Sequence, residues 1–584
     1  MIRPAHLLIE MKNLFLSFFL LPVIVMTALI LRFNAFDVFK TELPEQTNIA
    51  VCGAVSSSEV RAASNGKFIS AMPGWGKYSY PISAKNDSVQ FYFDQGLTMY
   101  YSYHMKESLA SFQEAARLDP TCAMAYWGQA LAMGPYYNAA HLYKKPQNIP
   151  AVLKQMNQFA ANTTRKEQGL IAVMNQRYSA DASDADRKAL NIAYAEKTRG
   201  LISQFPKDQD IKMLFVDAVM LIHAWDFWNN DGTPKAWTNE VIALSEQVLQ
   251  ENPDHPAALH YHIHLTEASR HPEVALPNAD KLRDQLPGVA HMVHMSSHEY
   301  ERNGYFLKGV DVNDRADAAL LQYDSLAKNL NLVKHSPHYF AVQTYCAMSA
   351  GLYKTGMHAA NRLRKSVLPT YESPYDQYLF MLPELTLVRL GKWDEILKDT
   401  TKLDPKWTYA GLLRNFARGM ALVNTGAADK AKSELRSLLE KSKDPILTKR
   451  RIPFNAFTPI ANIAGEILTA AIAFENKNYD ETIASLNKAI GIEDGLIYTE
   501  PNDWPIPARQ FLGAYLLKMN KPAVAEKIYR EDLIWNPGNG WSAIGLSQSL
   551  AAQKKTKDLA KIESGYKRSF SAAEGLPTGS VFLR

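Results

Sequence analysis

From residue 87 onward the chain repeats itself. Gly96, Ser108, Phe112, Ala115 and Pro120 stand at offsets that return as Gly513, Ala525, Tyr529 and Pro537, and Trp541, Ile544 and Gly545 open a further unit. Gly419, Ala431, Leu435 and Leu438 meet the same register, as do Thr482, Leu486 and Ala489 after Tyr479. Small, aromatic and proline residues at fixed distances are what two short antiparallel helices need where they cross closely. Each helix pair can bury its apolar stripe only against its neighbours, which confines the chain to a stack of pairs. Strand-like alternation is almost absent, so the predicted class is all-α.

The offsets are those of the tetratricopeptide pattern, W-x2-L-G-x2-Y followed by a small residue, an aromatic and a proline over about 34 residues. A tetratricopeptide-like α-solenoid of degenerate repeats is therefore expected. Longer insertions near Ser179 to Asp186, Asn229 to Lys235 and Lys441 to Pro459 interrupt it. Before the repeats, Leu14 to Leu31 carries no charge between Lys12 and Arg32. A helix of that length spans roughly 27 Å, close to a hydrocarbon core. No small-residue cleavage motif follows, which favours an uncleaved anchor over a signal peptide. The expected organisation is a membrane anchor or signal segment over 1–36 and a polar tether over 37–85. A solenoid with a histidine-rich groove would follow over 86–365 and a second solenoid over 366–584, with the bulk of the chain outside the cytoplasm (bacterial periplasm or cell surface).

A net charge of +5 is mild and well mixed, so no nucleic-acid track is expected; the run Lys449, Arg450, Arg451 reads as a solvated loop. Cys52, Cys122 and Cys346 are too few for a disulfide framework, though one bridge is open to them.

Histidine is unevenly spread. His255, His260, His262, His264, His271, His291, His294 and His298 crowd a stretch where an even distribution would place about one. The unit Pro256 to Pro287, with Ala275, Ala279 and Leu282 at its small and apolar sites, fixes their facing. Leu259, His262, Ile263 and Thr266 take the packing sites of one helix, and Val293, Ser296, Ser297 and Tyr300 those of the next. His260, His264 and Glu267 then share the other stripe with His291, His294, His298 and Glu301, on the concave groove.

Imidazoles at i and i+4 place two nitrogens on one helical face. His260, His264, His294 and His298 are the primary ligand candidates for one ion, with His291 beside them. Glu267 and Glu301 are candidates for ligand, outer partner of a ligand, or general base. His335 and His338 could supply a second ion, with Cys346 on the same stripe. A nitrogen-rich set suits Zn, Cu, Fe or Ni. The other histidines, His6, His104, His141, His223, His255, His262, His271 and His358, read as packing or surface residues. In a C-terminal motif of Glu500, Trp504, Arg509, Asn539 and Trp541, Trp504 and Arg509 are groove candidates and Trp541 a packing residue. Asp226 reads as a helix start.

Several segments resemble a widespread family of exported bacterial tetratricopeptide-repeat proteins: FDQGLTMYYSYH (from Phe93), AWDFW (from Ala224), HPAALHYHIHLTEAS (from His255), HMVHMSSHEY (from His291), EPNDWPIPARQFLGAYLL (from Glu500) and NPGNGWSAIGLSQSL (from Asn536). The resemblance implies the architecture and no particular activity. Family members share His260, His264, Glu267, His291, His294 and His298. They show a proline where this chain has Ser296, and HN-x-HF where it has His335-Ser336-Pro337-His338-Tyr339-Phe340.

No Walker A loop, dinucleotide fingerprint, zincin helix or nucleophile elbow occurs. Three readings remain: a metal-binding or interaction protein with a transition metal in its groove, a metal-dependent oxidoreductase or hydrolase, and a metal-free scaffold binding a protein or peptide in that groove. A membrane partner through the N-terminal helix goes with each.

Overall fold

The computed structural model describes residues 60–180, 184–450 and 454–584. The expected anchor, the start of the tether and Cys52 lie outside them. Among the described residues the chain is helical from Asp87 onward, with one isolated bridge, Trp228 to Pro234, and no strand. Antiparallel helix pairs stack from Asp87–Tyr101 to Thr556–Ser569 as a tetratricopeptide-like α-solenoid.

The turn inside a pair is built the same way again and again. Its middle residue has a positive φ: Tyr103, Gly304, Gly351, Gly391, Gly426, Lys477, Asn520 and Lys554. The next N–H then reaches back to the carbonyl five residues earlier, as Tyr305 does to Tyr300 (2.8 Å) and Leu352 to Ala347 (2.9 Å). This closes the end of one helix and reverses the chain into the next. Glycine suits that conformation, and a tyrosine there costs about 1–2 kcal/mol. Lys477, Asn520 and Lys554 take it too, but Tyr103 is the one aromatic in that series, and it lies over the site described below.

Helix starts are equally local. Asn86 accepts from Ser88 N and Val89 N (both 3.1 Å), and the His255 ring accepts from Ala258 N with Pro256 at the first helical position. Between pairs, large and small residues alternate. A Cβ on Gly96 or Gly128 would meet the Phe112 ring at 2.9 and 2.2 Å, and one on Gly513 or Gly545 would meet Tyr529 at 2.3 and 2.1 Å. Each aromatic of a second helix is therefore wedged between glycines of the two first helices that flank it.

Two expectations about organisation are corrected. Residues 60–85 are packed against the solenoid and do not form a free tether. Ile69, Met72, Trp75 and Tyr80 are buried, Met72 N donates to Gln95 (2.8 Å), Tyr80 N to Asp94 (2.9 Å), and Gly288 N to Gly74 O (3.0 Å). The segment is extended and bonds to side chains, so its apolar residues have no helical period. The stack also runs on through residue 366, where Tyr353–Ser366 packs on Pro374–Arg389. Among the described residues one helix, Phe457–Glu475, is long and apolar enough to cross a membrane by length and composition, and 67% of its apolar window is buried inside the protein. Cys122 and Cys346 are buried free thiols.

Candidate metal centre

Helices Pro256–Thr266, Ala290–Arg302 and Pro337–Ser349 are the first helices of three successive pairs. Their packing sites face as the register predicts. His262 meets Asn278 of the intervening helix (3.0 Å), Ser296 donates to Ala279 O (2.7 Å), and Tyr300 donates to Asp280 (2.6 Å). The remaining stripe carries His260, His264, His291, His294 and His298, and all five are buried.

On this stripe the outer ring nitrogens are engaged by oxygen. His260 Nδ1 donates to Tyr101 O (2.6 Å), His264 and His298 Nδ1 donate to the two oxygens of Glu267 (2.9 and 2.7 Å), and His294 Nδ1 donates to Asn313 Oδ1 (2.6 Å). Asn313 Nδ2 donates to Gly309 O (2.7 Å), which fixes its amide with oxygen toward His294. A carbonyl or carboxylate can only accept, so these four Nδ1 atoms carry the hydrogen, and in a neutral ring Nε2 then carries the lone pair. The Nε2 atoms of His294 and His298 face each other at 3.0 Å, those of His260 and His291 at 3.2 Å, and His264 Nε2 is buried with no partner.

Burial holds the imidazoles of His260, His264, His291 and His294 below their ordinary value, and neighbouring histidines lower all four further. They are neutral at neutral pH, the form that binds metal. For Glu267, burial pushes upward, but His264 and His298 outweigh it and hold the carboxyl well below the usual carboxylate range. Fixing of Nδ1 by carboxylate, amide and backbone oxygen is the arrangement that orients metal-binding imidazoles. The donor set therefore fits a nitrogen-preferring ion.

The structure divides the ligands differently from the single four-histidine site expected. His260, His264 and His291 offer donor atoms within 4.8 Å of one another, and so do His294, His298 and His338. His291 and His298 are seven residues apart, about 10.5 Å of helix rise, so both cannot reach one ion. The His291 ring lies 5.0 Å from His260, and the His298 ring lies between those of His264 (6.0 Å) and His338 (5.8 Å). The two nests adjoin, with the His264 and His298 rings 6.0 Å apart, and Glu267 holds one ring of each.

Other candidates are placed apart. His335 bonds to Asp317 (2.8 Å) with its side chain 35% exposed, so it belongs to neither nest. Cys346 turns toward the second helix, where a Cβ on Gly309 would lie 2.5 Å from its sulfur. Glu301 joins neither nest; it is buried with Oε2 unpartnered, and burial pushes its carboxyl up to about 8. Both oxygens of Glu267 are occupied, which makes it a ring-holding group and not a free base. Asp226 begins no helix and pairs with Lys235 (3.2 Å). Trp504 and Arg509 line a separate cavity, and Trp541 packs beneath Arg389 (3.6 Å).

The site also uses residues that the register did not single out. The Tyr103 ring lies 4.7 Å from His260 and 5.6 Å from His291, Tyr137 lies 5.0 Å from His264, and Tyr339 stacks on His294 at 4.1 Å. From the far end of the chain Glu500 arrives within donor-atom reach of His264, Glu267 and His298. Burial and then the Glu267 charge push its carboxyl far above its ordinary value, and its Oε1 has no partner. The histidine stripe is thus roofed and not an open groove. The tyrosine density of Met99 to His104 was the available signal for the roof.

No family model and no curated protein matches the chain. Among solved structures it is similar to yeast Tom70 (12% identity, 76% of this chain and 92% of that one, TM-score 0.29). It is also similar to the human IFIT1 dimer with m7Gppp-AAAA (12%, 84% and 96%, 0.27). A third is the TPR domain of P58(IPK) (12%, 58% and 93%, 0.17).

Proposed function

We propose that this chain is a transition-metal protein that holds two ions, one in each three-histidine nest of a tetratricopeptide-like solenoid. The observation that carries the reading is the pair His294 and His298. Both Nδ1 atoms are committed as donors, so with both rings neutral two lone pairs face each other at 3.0 Å. Such a contact is repulsive unless a cation lies between or beside the nitrogens. His338 supplies the third nitrogen there, and His260, His264 and His291 repeat the arrangement next to it. Zn, Cu, Fe or Ni suits these donors. Bound ions would supply Lewis acidity or electron transfer, and three protein ligands per ion leave a position for a further molecule.

The proposal includes the anchored, extracytoplasmic placement expected from the uncharged run Leu14 to Leu31. A peptide laid along the histidine stripe would have to displace Tyr103 and Tyr137, so a protein partner would use other faces of the solenoid.

Elemental analysis of the full chain, purified without a histidine tag, tests the reading. About two equivalents of one transition metal are expected. His294→Gln with His298→Gln should lower this to about one, as should His260→Gln with His264→Gln. Glutamine is chosen because these rings are buried and alanine would leave cavities. Less than about a tenth of an equivalent after reconstitution would refute the site.

A further inference from the structure

Beside the nests lies a cavity of about 1070 Å³, bounded by the 224–235 loop, the ends of the first two histidine helices and the 493–509 segment. That volume is at the upper end of pockets that enclose a small molecule. Its wall holds four indoles, Trp225, Trp228, Trp504 and Trp535. The indole N–H groups of Trp225 and Trp504 are buried and unpartnered, and Trp504 is only 2% exposed. Buried donors are ordinarily paired, so two orphans in one wall mark where acceptor atoms belong.

The same wall carries two arginines, Arg270 and Arg302, that stand outside any ion pair among the described residues. Arg270 lies 3.5 Å over the Trp535 ring, donates to Asn230 O, and makes no ion pair among the described residues. Arg302 gives one hydrogen each from Nε, Nη1 and Nη2 to the carbonyls of Glu267, Trp535 and Ser269, which leaves two of its five. Five acids share the wall: Asp231 accepts from Thr233 N (2.8 Å) and is the one whose charge reaches Arg270 without an ion pair of its own, Asp503 accepts from Asn455 Nδ2 (3.0 Å), and the other three are engaged by neighbours. Asp494 holds Arg509 (2.6 Å), Asp226 holds Lys235 (3.2 Å), and Glu493 accepts from Ala508 N (2.8 Å) while burial pushes its carboxyl up to about 8. Flat apolar walls, unpartnered donors and two guanidinium groups outside any ion pair together describe a ligand with a ring, oxygen acceptors and a negative charge.

We propose that this cavity binds a small hydroxylated aromatic carboxylate, its charge on Arg270 and Arg302 and its oxygens toward Trp225 and Trp504. The cavity ends one ring away from the first nest. Trp225 stacks on Tyr137 at 4.2 Å, Tyr137 lies 5.0 Å from the His264 ring, and Arg302 holds the backbone of Glu267. As the substrate site of the metal centre the cavity rests on the function proposed above; as a ligand site it does not.

The test is titration of the full chain with 4-hydroxybenzoate and its uncharged amide, followed by tryptophan fluorescence, on the protein as purified and again after removal of metal by a chelator. Saturable binding of the acid, about tenfold tighter than the amide in both preparations, is expected. Arg270→Gln should abolish that preference. Trp504→Phe, which keeps a ring and removes the N–H, should weaken acid and amide alike, and it reads the site independently if the arginine variant does not fold. Equal affinity for acid and amide, a preference that survives Arg270→Gln, or no saturation up to about 10 mM would overturn the proposal. Because the stripped protein is titrated on its own, failure here is distinct from failure to find metal.

Discussion

Two units of the solenoid share a register and fill it differently. In the C-terminal unit the second helix offers Tyr529, and the first helices on either side answer with Gly513 and Gly545. In the histidine unit the corresponding places are Ala279 between Ile263 and Ser297. Volume moves from the second helix to the first and the crossing is conserved, as close-packed interiors require. What differs is the remaining stripe: the histidine unit carries the metal-ligand candidates there, and the C-terminal unit, 508–552, contains no histidine at all. The scaffold and the chemistry occupy separate faces of the same helices, so one can vary without the other.

The largest effect that would sharpen this separation lies at Glu267. Replacing it with glutamine leaves one acceptor for two Nδ1–H groups and forces one ring to change tautomer. Metal affinity should fall about 10- to 100-fold in both nests while the fold persists. Equilibrium dialysis with a competing chelator would read this, and a loss confined to one nest would break the claim that a single carboxylate serves both. Next is the crossing itself. Gly545→Ala puts a methyl against Tyr529 and should cost about 1–3 kcal/mol in urea unfolding, with metal content unchanged. Ala279→Gly in the histidine unit should cost only about 1 kcal/mol.

The smallest effect concerns pH. The folded histidines His260, His264, His291 and His294 are held below the ordinary value near 6.5, so below that pH the unfolded chain binds more protons. Their contribution is fully present above about pH 6.5 and is lost as pH falls. Hydrogen exchange on metal-free protein should show amides of 256–302 losing protection between pH 7 and 5 while those of 508–552 keep theirs. Parallel loss in both units would show that acid acts elsewhere.

The helix pairs were legible because a small residue, an aromatic and a proline at fixed offsets have few structural meanings. The facing of His260, His264, His294 and His298 followed from the same offsets. Their division into nests did not, because it depends on how far each helix slides along its neighbour, and nothing in one helix encodes that. Glu500 lies about 200 residues beyond His298 in sequence and reaches the site only when the solenoid curls back. Residues 60–85 were read as a tether because extended segments bonded to side chains leave no periodic trace. His335 matched the spacing of His338, yet it stands two residues before its helix begins and turns to Asp317.

The roof has a consequence for how the protein is made. A chain synthesised from its N-terminus has produced every ligand of both nests once residue 338 emerges, about 160 residues before Glu500. At about 5–20 residues per second, that interval is on the order of 10–30 s. During it the second nest has its ligands in hand while its C-terminal lid is still being translated. The natural moment for an ion to enter is thus before the protein is finished, and an ion lost later would have to leave through a wall that was not there when it came in.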